Sequence, residues 1–239
     1  MSSLLAGRTA VVTGASRGIG AAIAESIGGA GARVAVVSRN HQALETLAKK
    51  IGNGSFAVVC DVTSNDQIAK ASEQILETLG GAPDILVNNA GLFTIKQVED
   101  TAIEEFQSII STNLTAAYAL LHDFLPHMKK RGSGHVVTIG SVADRHIFAG
   151  NGAYSAAKFG ARALHEVLRA ETRGSGIRAT LVSPSAVDTD IWDPIHFLDT
   201  DDRPDRSTML DARSVACSVL FALTQPQEVN IEELRLSRT

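Results

Sequence analysis

Short runs of β-branched and apolar residues alternate along the chain with longer, alanine-rich stretches whose apolar positions recur at helical spacing. Segments 9–13, 33–38, 56–60, 84–87, 135–139 and 178–182 read as strands. Segments 18–29, 40–52, 64–79, 103–130 and 152–173 read as helices. The strands are nearly continuous apolar runs such as Thr9-Ala-Val-Val-Thr13, so they are expected to be buried on both faces. That requires a parallel sheet covered by helices on each side. The fold class predicted is α/β, a Rossmann-type doubly wound sheet forming a single domain.

One stretch breaks the rhythm. Residues 185–209 carry Asp199, Asp201, Asp202, Arg203, Asp205 and Arg206 beside Trp192, Phe197 and Leu198. A long charged excursion bearing aromatics, directly after the carboxyl end of a strand, reads as a substrate lid, because ligands of open α/β sheets sit there.

Composition narrows the classes of partner. With 239 residues, 44% of them hydrophobic and 20% charged, the chain can bury a core of one-domain size. A formal net charge of -4 with no basic stripe argues against a nucleic-acid or anionic-membrane surface. No stretch is apolar for long enough to cross a bilayer, and the start of the chain lacks the form of a secretory signal, so a cytoplasmic protein is expected. Cys60 and Cys217 lie far apart in apolar surroundings, which predicts buried thiols rather than a disulfide or a metal site.

The first strand runs into Thr13-Gly14-Ala15-Ser16-Arg17-Gly18-Ile19-Gly20. Glycines there allow a tight turn and close approach of a pyrophosphate, and the following helix N-terminus offers unpaired N–H groups and partial positive charge. Between a strand and a helix, this turn predicts dinucleotide binding. At the end of the second strand, Val37-Ser38-Arg39-Asn40 offers a guanidinium and no Asp or Glu occurs from Ala35 to Gln42. An NAD site wants a carboxylate on the ribose at that point, whereas Arg39, helped by Arg17, matches a 2′-phosphate. The expected cofactor is therefore NADP(H). Asp61 and Val62 close the third strand, with Asp61 placed to meet the adenine amino group, and Asn88-Asn89-Ala90-Gly91 closes the fourth.

Tyr154 and Lys158 stand four residues apart in a helix-favouring segment, so both point to one side. A cation beside a phenol favours the phenolate, which would let Tyr154 exchange a proton near neutral pH.

Together these motifs resemble the classical short-chain dehydrogenases/reductases over nearly the whole chain, on the Thr13–Gly20 turn, Asp61, Asn88 to Gly91, Asn113, Ser141 and the Tyr154/Lys158 pair. The resemblance implies a catalytic group of Asn113, Ser141, Tyr154 and Lys158 acting on a small carbonyl or alcohol. Ser141 would orient the carbonyl and Tyr154 would deliver the proton. Lys158 would tune the phenol and hold the nicotinamide ribose, and Asn113 would hold a water leading to solvent. Cofactor contacts are implied for Gly14, Ser16, Arg17, Gly18, Ile19, Gly20, Ser38, Arg39, Asp61, Val62, Asn89, Ala90, Gly91, Tyr154, Lys158, Pro184, Val187 and Thr189. His146, Phe148, Trp192 and Phe197 are expected to line the substrate pocket. Similar proteins pair through segments 103–130 and 152–173, which implies a homodimer or homotetramer, with Ala116, Ala117, Ala156, Ala157 and Ala161 available for close contact.

Two departures matter. Ser185 stands where the family usually has glycine after proline, which would strain the backbone if φ is positive there. The chain also lacks the Asp-Gly-Gly ending of many ketoacyl reductases. An NADP-dependent carbonyl reductase is the leading expectation. The alternatives are a 3-oxoacyl-thioester reductase of the same family and a catalytically silent NADP-binding regulator.

Overall fold

The computed structural model describes residues 3–193 and 205–239. In chain order the elements are β1 (Thr9–Thr13), α1 (Gly18–Gly29), β2 (Arg33–Ser38), α2 (His41–Ile51), β3 (Phe56–Val59), α3 (Asn65–Leu79), β4 (Ile85–Asn88), α4 (Ile103–Ile110), α5 (Ala116–Arg131), β5 (Gly134–Ile139), α6 (Gly152–Glu171), β6 (Ile177–Pro184), β7 (Val187–Asp188), β8 (Leu210–Asp211), α7 (Ala212–Leu223) and β9 (Glu233–Leu236). Seven strands form one sheet in the order β3-β2-β1-β4-β5-β6-β9, and every ladder in it is parallel. The order reverses between β1 and β4, which opens a crevice at the carboxyl ends of the strands.

Successive residues of each strand point to opposite faces, so the sheet supports two cores. On one face Val12, Val36 and Val87 pack with Ile23 and Ile27 of α1, Leu44 of α2 and Val219 of α7. On the other, Val11, Val37 and Leu86 pack with Ile68 and Ile75 of α3 and with Leu120, Phe124 and Met128 of α5. Local punctuation agrees with this layering. Asn40 and Ser64 cap α2 and α3 by accepting from the N–H groups of Ala43 and Gln67. Gly80 and Gly132 end α3 and α5 in the left-handed conformation.

The structure departs from the sequence expectations at several points. The helix expected over 103–130 is two α-helices joined by a π turn, Ser111–Thr115. The helix α7 and the edge strand β9 were not anticipated. Ala116, Ala157 and Ala161 are buried within the chain, Ala116 in the core beneath the sheet and Ala157 against Ile109 of α4, whereas Ala156 is exposed. Cys60 is buried but Cys217 is exposed on α7. Among the described residues Asn53 is the only non-glycine with positive φ, so Ser185 carries no such strain, and its N–H donates to Leu236 O at 2.8 Å.

The ends of the 185–209 excursion are pinned together. Strands β7 and β8 pair, the Arg206 guanidinium donates to Thr189 O at 3.1 Å and to Asp193 at 2.5 Å, and Trp192 Nε1 donates to Val187 O at 2.9 Å. The centre of the expected lid, residues 194–204 with Phe197, Leu198 and Arg203, lies outside the described residues.

Candidate active site

A cleft of about 570 Å³ runs across the carboxyl ends of β1, β2, β4, β5 and β6. Every expected cofactor and catalytic residue lies on its wall. Its floor at one end is the glycine turn. Gly14 has φ +66° and Gly18 φ +58°, and a Cβ at Gly14 would lie 2.9 Å from Ala90 Cα. At Gly20 an added Cβ would meet Gly14 O at 2.4 Å, so the turn and the first coil of α1 touch backbone to backbone. The N-terminus of α1 has no side-chain cap and no acid in its first turn, which leaves its N–H groups facing the cleft without competition from a carboxylate.

Asn89 has a role beyond the expected one. Its side chain donates to Thr13 O at 2.8 Å, while Thr13 Oγ1 accepts from the N–H groups of Asn89 and Ala90, both at 3.0 Å. These bonds tie β4 to the glycine turn and fix the cradle. A pyrophosphate fits here: the turn is glycine where a side chain would clash, and helix N–H groups are unclaimed.

At the far end of β2, Arg39 is 71% exposed at its side chain and 3.9 Å from Asp61 Oδ2. The local window around Arg39 holds no acid, yet folding brings this one from the end of β3. The Asp61 carboxyl is held below its usual range, chiefly by the Thr63 backbone N–H and also by its hydroxyl and Arg39, against a desolvation that raises it. Nearby burial, then the charge of Asp61, pushes the Cys60 thiol up to about 11, so it stays protonated.

The catalytic candidates meet at the other end. Lys158 is buried, and its ammonium donates to Ile139 O at 2.9 Å and lies 5.6 Å from the centre of the Tyr154 ring. One turn of α6 separates the two, as the spacing predicts. Asn113 sits in the π turn and donates from its side chain to Leu92 O and Ile109 O, both at 2.9 Å. Its Oδ1 is buried without a protein partner. A small cavity of about 10 Å³ borders Asn113, Asn88, Thr112 and Lys158. Ser141 caps the short helical turn Val142–Asp144, with its Oγ accepting from Ala143 N at 3.1 Å.

The expected ease of ionising Tyr154 is not present in this structure. Burial pushes the phenol up to about 12; a hydrogen bond from Ser141 pulls down, and the nearby charge of Asp144 pushes up. Burial lowers Lys158 to about 8, with Asp144 opposing. Desolvation penalises both charged forms and outweighs the attraction inferred from spacing alone. Tyr154 is thus held as a neutral phenol, the form that can give up a proton.

Sequence reasoning missed part of the site. Phe93 stands edge-on to both Tyr154, at 4.7 Å between ring centres, and Trp192, at 5.1 Å. With Leu92, Ile191 and Trp192 it makes an apolar wall at the Tyr154 end. Its only sequence signal is an aromatic two positions after Gly91. Trp192 lines the cleft as expected. His146 and Phe148 do not: both are exposed and absent from its described lining, because they follow the short helical turn Val142–Asp144 on chain that has already left β5. Among the described residues no cluster of His, Cys, Asp or Glu could hold a metal ion, and no helix is long and apolar enough to cross a membrane.

A parallel doubly wound sheet, a glycine cradle and a Ser/Tyr/Lys/Asn cluster at the strand ends define the class of dinucleotide-fold oxidoreductases. More narrowly, the chain belongs to the short-chain dehydrogenase family, whose model matches residues 8–196. It is 38% identical over 240 residues to the glycine betaine reductase ATRR of Emericella nidulans, a match that takes in 96% of this chain but only 18% of that far longer protein. An alcohol dehydrogenase from the archaeon Thermococcus sibiricus, solved with 5-hydroxy-NADP, superposes with a TM-score of 0.87 at 31% identity, covering 97% of both chains. A 3-ketoacyl-(acyl-carrier-protein) reductase from Brucella melitensis, solved with NADH, gives 0.86 at 26% identity, again over 97% of both chains.

Proposed function

We propose that the protein is an NADP(H)-dependent oxidoreductase that interconverts a carbonyl and a secondary alcohol, with Tyr154 as the acid and base. The observation that carries the reading is the convergence of Ser141, Tyr154, Lys158 and Asn113 on one end of a cleft whose other end is a glycine cradle flanked by Arg17 and Arg39. The cofactor, when bound, supplies the hydride. The turn from Gly14 to Gly20 would hold its pyrophosphate, Ser38, Arg39 and Arg17 its 2′-phosphate, Asp61 and Val62 its adenine, and Ala90, Gly91, Pro184, Val187 and Thr189 the nicotinamide end.

The residues then divide the work. Ser141 orients the carbonyl oxygen, on which negative charge builds as the carbon is reduced, and Tyr154 delivers its proton to that oxygen, leaving an alcohol and a phenolate. The Lys158 ammonium stabilises that phenolate and would hold the ribose of the bound cofactor. The cavity beside Asn113 and Lys158 is large enough for one water, which would return a proton from solvent. The wall of Leu92, Phe93, Ile191 and Trp192 favours a substrate with an apolar flank.

The test is NADPH and NADH oxidation by the purified protein against ketones, aldehydes, diketones and 3-oxoacyl thioesters, with Tyr154→Phe alongside. Turnover that disappears in Tyr154→Phe while NADPH binding persists is the expected result. Binding without turnover across the panel would favour a silent regulator, and substantial turnover by Tyr154→Phe would remove its role as the acid.

Self-association through α4, α5 and α6 is proposed with it. Ile103, Phe106, Tyr118, Phe159 and Val167 are exposed on these helices, and apolar side chains of this kind are what a partner subunit would cover.

A further inference from the structure

We propose that Asp144 is a positioning residue for the reaction: with Ser183, Arg145, Arg162 and Glu233 it forms an ionic relay that fixes the backbone of Ser141 and holds a buried negative charge beside the Tyr154/Lys158 pair. The inference rests on the roles given above to Ser141 and Tyr154.

Asp144 has no solvent exposure. Its Oδ2 accepts from Ser183 Oγ at 2.5 Å and from the Ser141 N–H at 3.3 Å, and its Oδ1 accepts from Arg145 Nε at 2.8 Å and lies 3.6 Å from Arg162 Nη1. Both arginines continue to Glu233 on β9. Arg162 Nη2 is 3.2 Å from its carboxylate, and Arg145 pairs with it directly. Arg145 also donates to Ser183 Oγ at 3.2 Å. The carboxylate lies so close under the strand end that a Cβ at Gly140 would be 2.6 Å from both Asp144 Oδ2 and Ser183 Oγ. None of the five relay residues lines the cleft, whereas their neighbours Ser141 and Ala143 do. Asp144 therefore acts through Ser141 and through its field.

Four charges linked in this way balance, two carboxylates against two guanidinium groups, with Arg235 3.8 Å from Glu233 at the rim. A buried carboxylate is costly unless it is paired and hydrogen-bonded, and Asp144 is both. What the carboxylate adds is a fixed negative charge near the reacting pair. The charged groups facing Tyr154 are Lys158 from its own helix and Asp144 from the turn after β5; those facing Asp144 are Arg145, Arg162 and Lys158, with Glu233 behind the arginines. The charge of Asp144 raises the pKa of both Tyr154 and Lys158. Removing it lowers both, so the phenol ionises at lower pH and the alkaline limb of carbonyl reduction moves down with it.

The chain has two tyrosines, so a Tyr118→Phe background leaves Tyr154 as the only one, and its ionisation is read directly from tyrosinate absorbance without substrate or cofactor. The expected result is a lower midpoint in Asp144→Asn than in the background, corresponding to loss of a nearby like charge. Glu233→Gln, far from the cleft, should shift it the same way by less, and it serves alone if Asp144→Asn does not fold. Val219→Ala, a core cavity, should lower the Tm and leave the midpoint in place, which separates a structural effect from the relay. An unmoved midpoint in the folded variants overturns the proposal. Retained turnover by Tyr154→Phe overturns only the catalytic reading beneath it.

Discussion

At the scale of single side chains, the proposed choice of NADP(H) rests on Arg39 and Arg17. Arg39 is well exposed and its pairing with Asp61, at 3.9 Å, is long and solvent-screened. A phosphate approaching Arg39 would meet a largely available guanidinium, joined by Arg17 from the glycine turn. Arg39→Asp should place a second carboxylate beside Asp61 and reverse the preference, weakening NADPH by roughly 10- to 100-fold relative to NADH, since a charge-assisted hydrogen bond is worth about 1.5–3 kcal/mol. Fluorescence titration of both cofactors measures it, and an unchanged ratio would remove the argument. Arg39 was legible because it directly follows the second strand. Asp61 as its neighbour was not, since only the parallel pairing of β2 with β3 brings the two strand ends together.

At the scale of elements, the π turn deserves weight because it is where the helix ladder yields to chemistry. Widened helical turns recur at functional sites, and this one carries Asn113 toward Leu92 and the cavity beside Lys158. Asn113→Ala would leave the buried carbonyls of Leu92 and Ile109 without that donor. Unfolding in urea should report a loss of about 1–3 kcal/mol, and turnover should fall further than stability explains; a variant as stable and as active as the parent would contradict this account.

Periodicity could not reveal the turn, because a run such as Ile109-Ile110-Ser111-Thr112-Asn113-Leu114 keeps its apolar spacing whether or not one residue is added to the coil. The interior strands were readable for the opposite reason. Burial on both faces makes them apolar throughout, whereas the edge strand β9, Glu-Leu-Arg-Leu, alternates and resembles surface chain. Phe93 and Asp144 escaped notice because nothing around them in sequence distinguishes them; the aromatic stack and the relay exist only after folding.

For the whole molecule, acid is the telling stress. His135 on β5 and His165 on α6 are fully buried, bonded to Thr180 Oγ1 at 2.8 Å and Thr138 Oγ1 at 2.9 Å. Burial, with neighbouring positive charge, lowers them from 6.5 to about 3 and about 4 respectively. Their folded pKa values lie below the unfolded ones, so the neutral rings stabilise the fold above pH 6.5. As pH falls below that value the unfolded chain takes up protons that the folded chain refuses. Between pH 6.5 and about 4.5, each histidine should cost about 2 kcal/mol of stability. Carboxylates whose folded pKa is lowered, such as Glu233, add their own loss at lower pH. Urea midpoints measured down this window should fall, and the His135→Gln/His165→Gln pair should flatten the slope; an equal slope would show that other groups carry it.

The position of β9 also bears on how the protein is made. It covers the open side of β6, pairing Leu181 to Pro184 with Glu233 to Leu236, yet it is encoded well after β6. Until the ribosome releases those residues, the nascent sheet ends on β6, a strand buried through Ala179, Leu181 and Val182 in the finished fold. An unpaired apolar edge of this kind templates association with other chains. The late strand therefore closes a window of aggregation during synthesis, and in the same step Glu233 reaches the two arginines behind Asp144.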